Sequence, residues 1–195
     1  MKFYFAYGSN MNVDQFDNRC PQSTPSTGGT LKGWRLVINS RGVATIQKSK
    51  KSYIEGALYE LSPEDEETLD VCEGVAGGFY QKHMLEIECD DGRTREALVY
   101  IDKNASPGRA RKGYLETCLA GAKEWGLLKA AARLEHIQKN QPKAKPVAKL
   151  KQWTPQRGLA LQAKASRKHR KVYVDRSRNK YHEAAKRLWE KTNSK

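Results

Sequence analysis

The sequence predicts an α+β domain built on a mixed or closed sheet, with a basic, partly helical extension behind it. Three observations carry this. Short apolar or alternating runs mark about six strands and three longer helices. Strand and helix do not alternate as a repeating unit, which excludes a doubly wound parallel fold. Charge then divides the chain: residues 1–139 hold 19 Lys plus Arg against 19 Asp plus Glu, whereas residues 140–195 hold 17 against three, so the formal excess of +14 lies in the extension. A length of 195 residues suits one ordinary domain, residues 1–139, with a remainder, residues 140–195.

Taken in order, residues 2–7 are aromatic and β-favouring and read as a buried strand that stops at Gly8. Ser9, Asn10 and Asn12 are capping residue types and lead into a short polar helix at residues 13–19. Residues 21–33, rich in Pro, Ser, Thr and Gly, are expected to form a polar loop. Residues 36–40 and 43–46 follow as short strands joined through Arg41-Gly42, a tight connection placed to border a cleft. Residues 54–61 alternate as a strand with one apolar face.

Ser62-Pro63-Glu64-Asp65 is a strong helix start, with a capping hydroxyl, proline at the first position and acids at the positive end. The helix should reach Cys72, turn Leu69 and Cys72 inward, and leave Glu73 at the junction with Gly74. Residues 79–89 and 94–101 read as a hairpin turning at Asp90-Asp91-Gly92-Arg93. Tyr114, Leu115, Cys118, Leu119, Ala122 and Trp125 then recur at helical spacing, and a second helix over residues 128–138 packs behind them.

No run of about 18 apolar residues is present to span a bilayer, and the amino terminus lacks a signal-peptide layout, so a cytoplasmic protein is expected. Cys20, Cys72, Cys89 and Cys118 are far apart, without a Cys-x-x-Cys pair or a histidine at ligand spacing. They read as reduced, mostly buried thiols, and no metal site is expected.

The corner after the first strand has two readings. It is an ordinary turn, or it is an anion cradle in which backbone N–H groups without partners face one cleft. Glu73 likewise either ends a helix or serves as a buried acid. Phe5-Ala6-Tyr7-Gly8-Ser9-Asn10 is followed by Leu69-Asp70-Val71-Cys72-Glu73-Gly74-Val75, by Gly77-Gly78-Phe79-Tyr80, and by Gly113-Tyr114 with Gly121-Ala122-Lys123-Glu124-Trp125-Gly126-Leu127. In this order and at these separations the four pieces resemble the γ-glutamylcyclotransferase family, over roughly residues 1–128.

That resemblance implies a small mixed β-barrel flanked by helices. It implies cyclisation of γ-glutamyl amino acids, or related γ-glutamyl compounds, to 5-oxoproline with release of the amino acid or amine, without metal or organic cofactor. By the same resemblance Glu73 is the general acid/base, Tyr4, Phe5, Ala6, Tyr7, Gly8 and Ser9 form the substrate-binding loop, and Tyr114 contacts substrate. Ser9 is not expected to be a nucleophile, since no Gly-x-Ser-x-Gly elbow surrounds it and the body offers only His83 and His136 as a base.

The likeness stops at the extension. Gln141-Pro142-Lys143-Ala144-Lys145-Pro146 reads as a linker. Beyond it, Arg167, Lys168, Arg170, Lys171, Arg176 and Arg178 stand among Tyr173, Tyr181 and Trp189. Such a pattern suits a nucleic-acid backbone with base stacking, an acidic membrane surface, or simply a solvated tail. The alternative function is therefore a nucleic-acid-binding protein whose cyclotransferase-like body is inactive or acts on a bound partner.

Overall fold

The computed structural model describes residues 2–142. Five strands, β1 (Lys2–Ala6), β2 (Thr24–Ile38), β3 (Ala44–Leu61), β4 (Tyr80–Cys89) and β5 (Thr94–Asp102), close into a barrel in the order β1-β3-β2-β4-β5. Neighbours pair antiparallel except where β1 meets β5 in parallel, Phe3 beside Ala97 and Tyr4 beside Leu98, and this contact seals the barrel. Closure removes the open edges that a five-stranded sheet would otherwise expose. Four helices, α1 (Val13–Arg19), α2 (Pro63–Cys72), α3 (Tyr114–Glu124) and α4 (Leu128–Lys139), flank it.

Local chemistry sets the helix ends as the sequence predicts. The Asn12 side chain accepts from the Gln15 amide at 3.0 Å and caps α1. Ser62 does the same for Asp65 at 3.1 Å, with Pro63 in the first turn of α2. Asp65 is buried, and it accepts from the Gln22 amide (2.9 Å) and the Ser23 hydroxyl (2.7 Å), which ties the segment after α1 to the start of α2.

Three expectations differ from the structure. Residues 21–33 are not all loop, because β2 begins at Thr24 and pairs along β3. The two strands expected at residues 43–46 and 54–61 are one strand, β3, carried through the polar residues between them with a register irregularity opposite Lys32 and Trp34. Cys72 does not turn into the core with Leu69; it is exposed.

Phe5, Leu58, Ile87, Leu98 and Val99 fill the core and are essentially inaccessible. Beside them lies an aromatic layer in which Phe16 stacks on Tyr59 at 3.6 Å between centroids and Trp125 meets the same ring edge-on at 5.3 Å. This layer carries the corner that follows β1. α3 presses on that corner directly: a Cβ at Gly121 would lie 2.2 Å from the Asn12 nitrogen and 2.4 Å from the Met11 carbonyl carbon.

Candidate active site

Residues 9–11 after β1 form a single tight helical turn whose two faces are used differently. All four carbonyls from Gly8 to Met11 are taken: Gly8 by the Met11 amide, Ser9 by the Asn12 amide, Asn10 by the Tyr59 hydroxyl (3.0 Å) and Met11 by the Trp125 indole N–H (2.9 Å). The amides of Gly8, Ser9 and Asn10, by contrast, donate to no group among the described residues. Unpaired donors clustered at a bend are suited to hold an anion or an oxygen gaining charge.

These residues line a cavity of about 500 Å3. Glu73 lines it too, because α2 ends there: the Glu73 amide still bonds the Leu69 carbonyl, and Gly74 then takes a left-handed conformation (φ 63°) that breaks the helix and leads the chain into β4. Asn10 joins the two halves of the site. Its side-chain nitrogen donates to the Tyr4 hydroxyl at 2.9 Å and, at 3.5 Å, to Glu73 Oε1. Its oxygen accepts from Arg19 Nη1 at 2.6 Å and from Gln15 Nε2 at 3.2 Å. A buried asparagine with all of this hydrogen bonding satisfied is a rigid strut between corner and carboxylate.

Burial raises the Glu73 carboxyl above its ordinary range, since desolvation disfavours the anion. Arg19, Arg41 and the Asn10 bond oppose that rise without cancelling it. Among the residues lining the cavity Glu73 is the one carboxylate, and no histidine or lysine accompanies it. Burial also lifts the phenols of Tyr4, Tyr7 and Tyr114 well above the usual range.

The sequence-predicted residues separate in space. Tyr4, Tyr7, Gly8, Ser9, Glu73 and Tyr114 meet around the cavity, whereas Phe5 and Ala6 are buried in the barrel wall and do not line it. The Tyr114 hydroxyl accepts from the Ala44 amide at 2.9 Å, and a Cβ on Gly8 would come within 2.9 Å of it. Of the Arg41-Gly42 turn between β2 and β3, Arg41 lines the cavity. Sequence reasoning missed Arg19, Arg111, Gln15 and Tyr80 as lining residues, and missed the side-chain role of Asn10; polar and charged residues on a short helix or a loop carry no periodic signal that separates a cavity wall from a solvated face. Arg167, Lys168, Arg170, Lys171, Arg176 and Arg178 lie outside the described residues. Among the described residues no cluster of three or more His, Cys, Asp or Glu side chains is placed to hold a metal ion, and no helix is long and apolar enough to cross a membrane.

The geometry is that of a closed five-stranded barrel with an acid set near a bend of free amides, and comparison with known proteins gives its family. The chain belongs to the gamma-glutamyl cyclotransferase, AIG2-like family, whose profile matches residues 4–118. It is similar to the gamma-glutamylcyclotransferase of Homo sapiens, 27% identical over 148 residues covering 70% of this chain and 79% of that protein. The gamma-glutamylcyclotransferase of Mus musculus is 26% identical over 153 residues, 73% and 81% of the two chains. Among solved structures, a gamma-glutamyl cyclotransferase shares the fold with a TM-score of 0.65 at 23% identity, covering 83% of this chain and 98% of that one. An uncharacterised Homo sapiens protein matches with a TM-score of 0.64 at 26% identity, covering 74% and 92%. The small mixed β-barrel flanked by helices that the resemblance implies is therefore the fold of this chain, with five strands and four helices among the described residues.

Proposed function

We propose that this chain cyclises γ-glutamyl amino acids or related γ-glutamyl compounds to 5-oxoproline, with Glu73 as general acid/base. The observation that carries the reading is the pairing of one raised carboxylate with three unpartnered amides across a small cavity. Such a substrate brings its own nucleophile. Its α-nitrogen attacks the γ-carbonyl carbon, a five-membered lactam closes, and the bond from that carbon to the leaving nitrogen breaks. No water and no second substrate is consumed.

The protein supplies position, a proton carrier and charge stabilisation. Glu73 takes a proton from the α-ammonium group and returns one to the departing nitrogen. Its raised pKa serves both halves of that cycle, because it makes the carboxylate a stronger base toward the ammonium while the protonated carboxyl still gives up its proton more readily than an ammonium would. The free amides of Gly8 and Ser9 hold the γ-carbonyl oxygen as it gains charge. Tyr7 and Tyr114 are locked by their own bonds, Tyr7 to the Tyr100 carbonyl (2.5 Å) and Tyr114 to the Ala44 amide, and they form rigid walls around the glutamyl chain.

The test is incubation with γ-glutamyl-alanine and quantification of 5-oxoproline, beside Glu73→Gln. Loss of a positioned proton carrier should lower turnover by roughly 10²- to 10⁴-fold. Turnover by the variant within a few-fold of the unaltered protein would remove Glu73 from this role.

A further inference from the structure

One wall of the cavity carries positive charge that the proton transfers do not use. Arg41 is fixed there: its Nη2 pairs with Asp102, a buried carboxylate that also accepts from Asn39 at 2.6 Å, and its guanidinium lies 4.6 Å from the Phe79 ring and 5.4 Å from the Tyr80 ring. Asp102 neutralises it. The Arg41 carbonyl accepts from Arg111 Nε at 2.8 Å, and the Arg111 amide bonds the Gly42 carbonyl at 3.0 Å. Arg111 is held by backbone and side chain together against the β2–β3 turn, yet its two terminal nitrogens have no acceptor and no acidic partner among the described residues. It is exposed at the edge of the cavity.

Charge counting shows what this wall suits. The cavity is lined by Arg19, Arg41, Arg111 and Glu73, with Asp102 directly behind Arg41. With Glu73 ionised the set is one unit positive. A γ-glutamyl amino acid, bearing two carboxylates and one ammonium, is one unit negative, whereas a γ-glutamylamine is neutral. Arg19 is tied to the Glu73 side through Asn10, which leaves the fork of Arg111 as a separate cation able to take a planar carboxylate with two parallel hydrogen bonds.

We propose that Arg111, aligned by the Arg41 carbonyl, selects the leaving group by its carboxylate, so that γ-glutamyl amino acids are taken in preference to γ-glutamylamines. The inference rests on the cyclotransferase reading above and goes beyond it by assigning specificity to a residue of the loop before α3. Arg111 touches the group that leaves, not the atoms that react. Its removal therefore acts on KM for substrates with a carboxylate, and acts little on kcat.

The experiment compares γ-glutamyl-alanine with γ-glutamylethylamide, whose leaving group is alanine without its carboxylate, for the unaltered full chain, Arg111→Gln and Arg111→Lys. The intrinsic difference between the two leaving amines cancels when the variants' ratios of kcat/KM are compared. Arg111→Gln should lower the preference for γ-glutamyl-alanine at least about tenfold, the loss of a charge-assisted hydrogen bond, mainly through KM. Arg111→Lys should restore part of it, and salt should weaken the preference in the unaltered protein. Turnover of both substrates with a preference that Arg111→Gln leaves unchanged, or an equal loss on both, overturns the assignment while leaving the cyclotransferase reading intact. Absence of 5-oxoproline from either substrate with any form of the protein overturns both.

Discussion

Replacing Asn10 with alanine tests the strut on which the site depends. The side chain is 4% exposed and makes three contacts of 2.6, 2.9 and 3.2 Å, to Arg19, Tyr4 and Gln15, besides the longer one to Glu73. Removing it leaves the Tyr4 hydroxyl and the Arg19 guanidinium without their partner at the edge of the core. A penalty of about 2–3 kcal/mol follows from stranding buried polar groups. For a domain of this size that corresponds to a fall in Tm of roughly 6–12 °C.

The same change has an electrostatic consequence with a definite sign. The Asn10 bond and Arg19 both hold down the pKa of Glu73, and Asn10 also anchors Arg19. Their loss moves the carboxyl further up, so the acid limb of kcat/KM for 5-oxoproline formation should shift to higher pH in Asn10→Ala. A thermal melt and a pH–rate profile on the same preparation decide the matter. A variant with unaltered Tm and an unaltered acid limb would refute the account of Asn10 as the link between corner and carboxylate.

Two further outcomes are expected. Glu73→Gln should raise stability at neutral pH, since a carboxyl whose folded pKa lies above its unfolded one contributes stability below the unfolded value and loses it as pH rises through the folded value. Denaturant midpoints of the two proteins should therefore coincide near pH 4 and separate above it in favour of Gln, and a variant less stable than the unaltered chain at pH 7.5 would contradict this. Gly121→Ala should cost about 1–3 kcal/mol by overpacking, because its Cβ would strike the backbone of Met11 and Asn12 and push α3 off the corner; unchanged melting together with unchanged turnover would show that α3 does not brace that corner.

What was legible in the sequence was what is determined locally. The strand ending at Gly8, the Ser62-Pro63 start of α2 and the hairpin around Gly92 each carry their own turn or cap chemistry, and each appears where expected. The first half of β2 was not legible, because Thr24-Pro25-Ser26-Thr27-Gly28-Gly29 has loop composition and is held extended by pairing with Gly56–Glu60 of β3, far along the chain. The merging of two expected strands into β3 has the same origin: Gln47, Lys48 and Tyr53 are held by partners in β2 on either side of the register shift, not by an apolar alternation. The parallel closure of β1 on β5 leaves no local trace at all.

The site divides in the same manner. Gly8, Ser9, Glu73 and Tyr114 belong to ordered motifs and could be picked out in advance, and the structure brings them to one cavity. The Phe5 and Ala6 side chains sit in the same motif but serve the wall, since this end of β1 is covered on both faces and buries Tyr4, Phe5 and Ala6 in succession. Arg41, Arg111 and Arg19 come from a turn, a loop and a helix that only the closed barrel brings together, so their shared position was invisible to spacing.

The most direct test of the central claim, that a half-buried Glu73 moves the proton in a self-cyclising substrate, is the pH dependence of kcat/KM for 5-oxoproline release from γ-glutamyl-alanine. The account predicts a single-proton acid limb lying above the ordinary glutamate value of about 4.3, matched to the carboxyl's own titration. A rate that stays flat through that range while the Glu73 carboxyl is becoming protonated would contradict it.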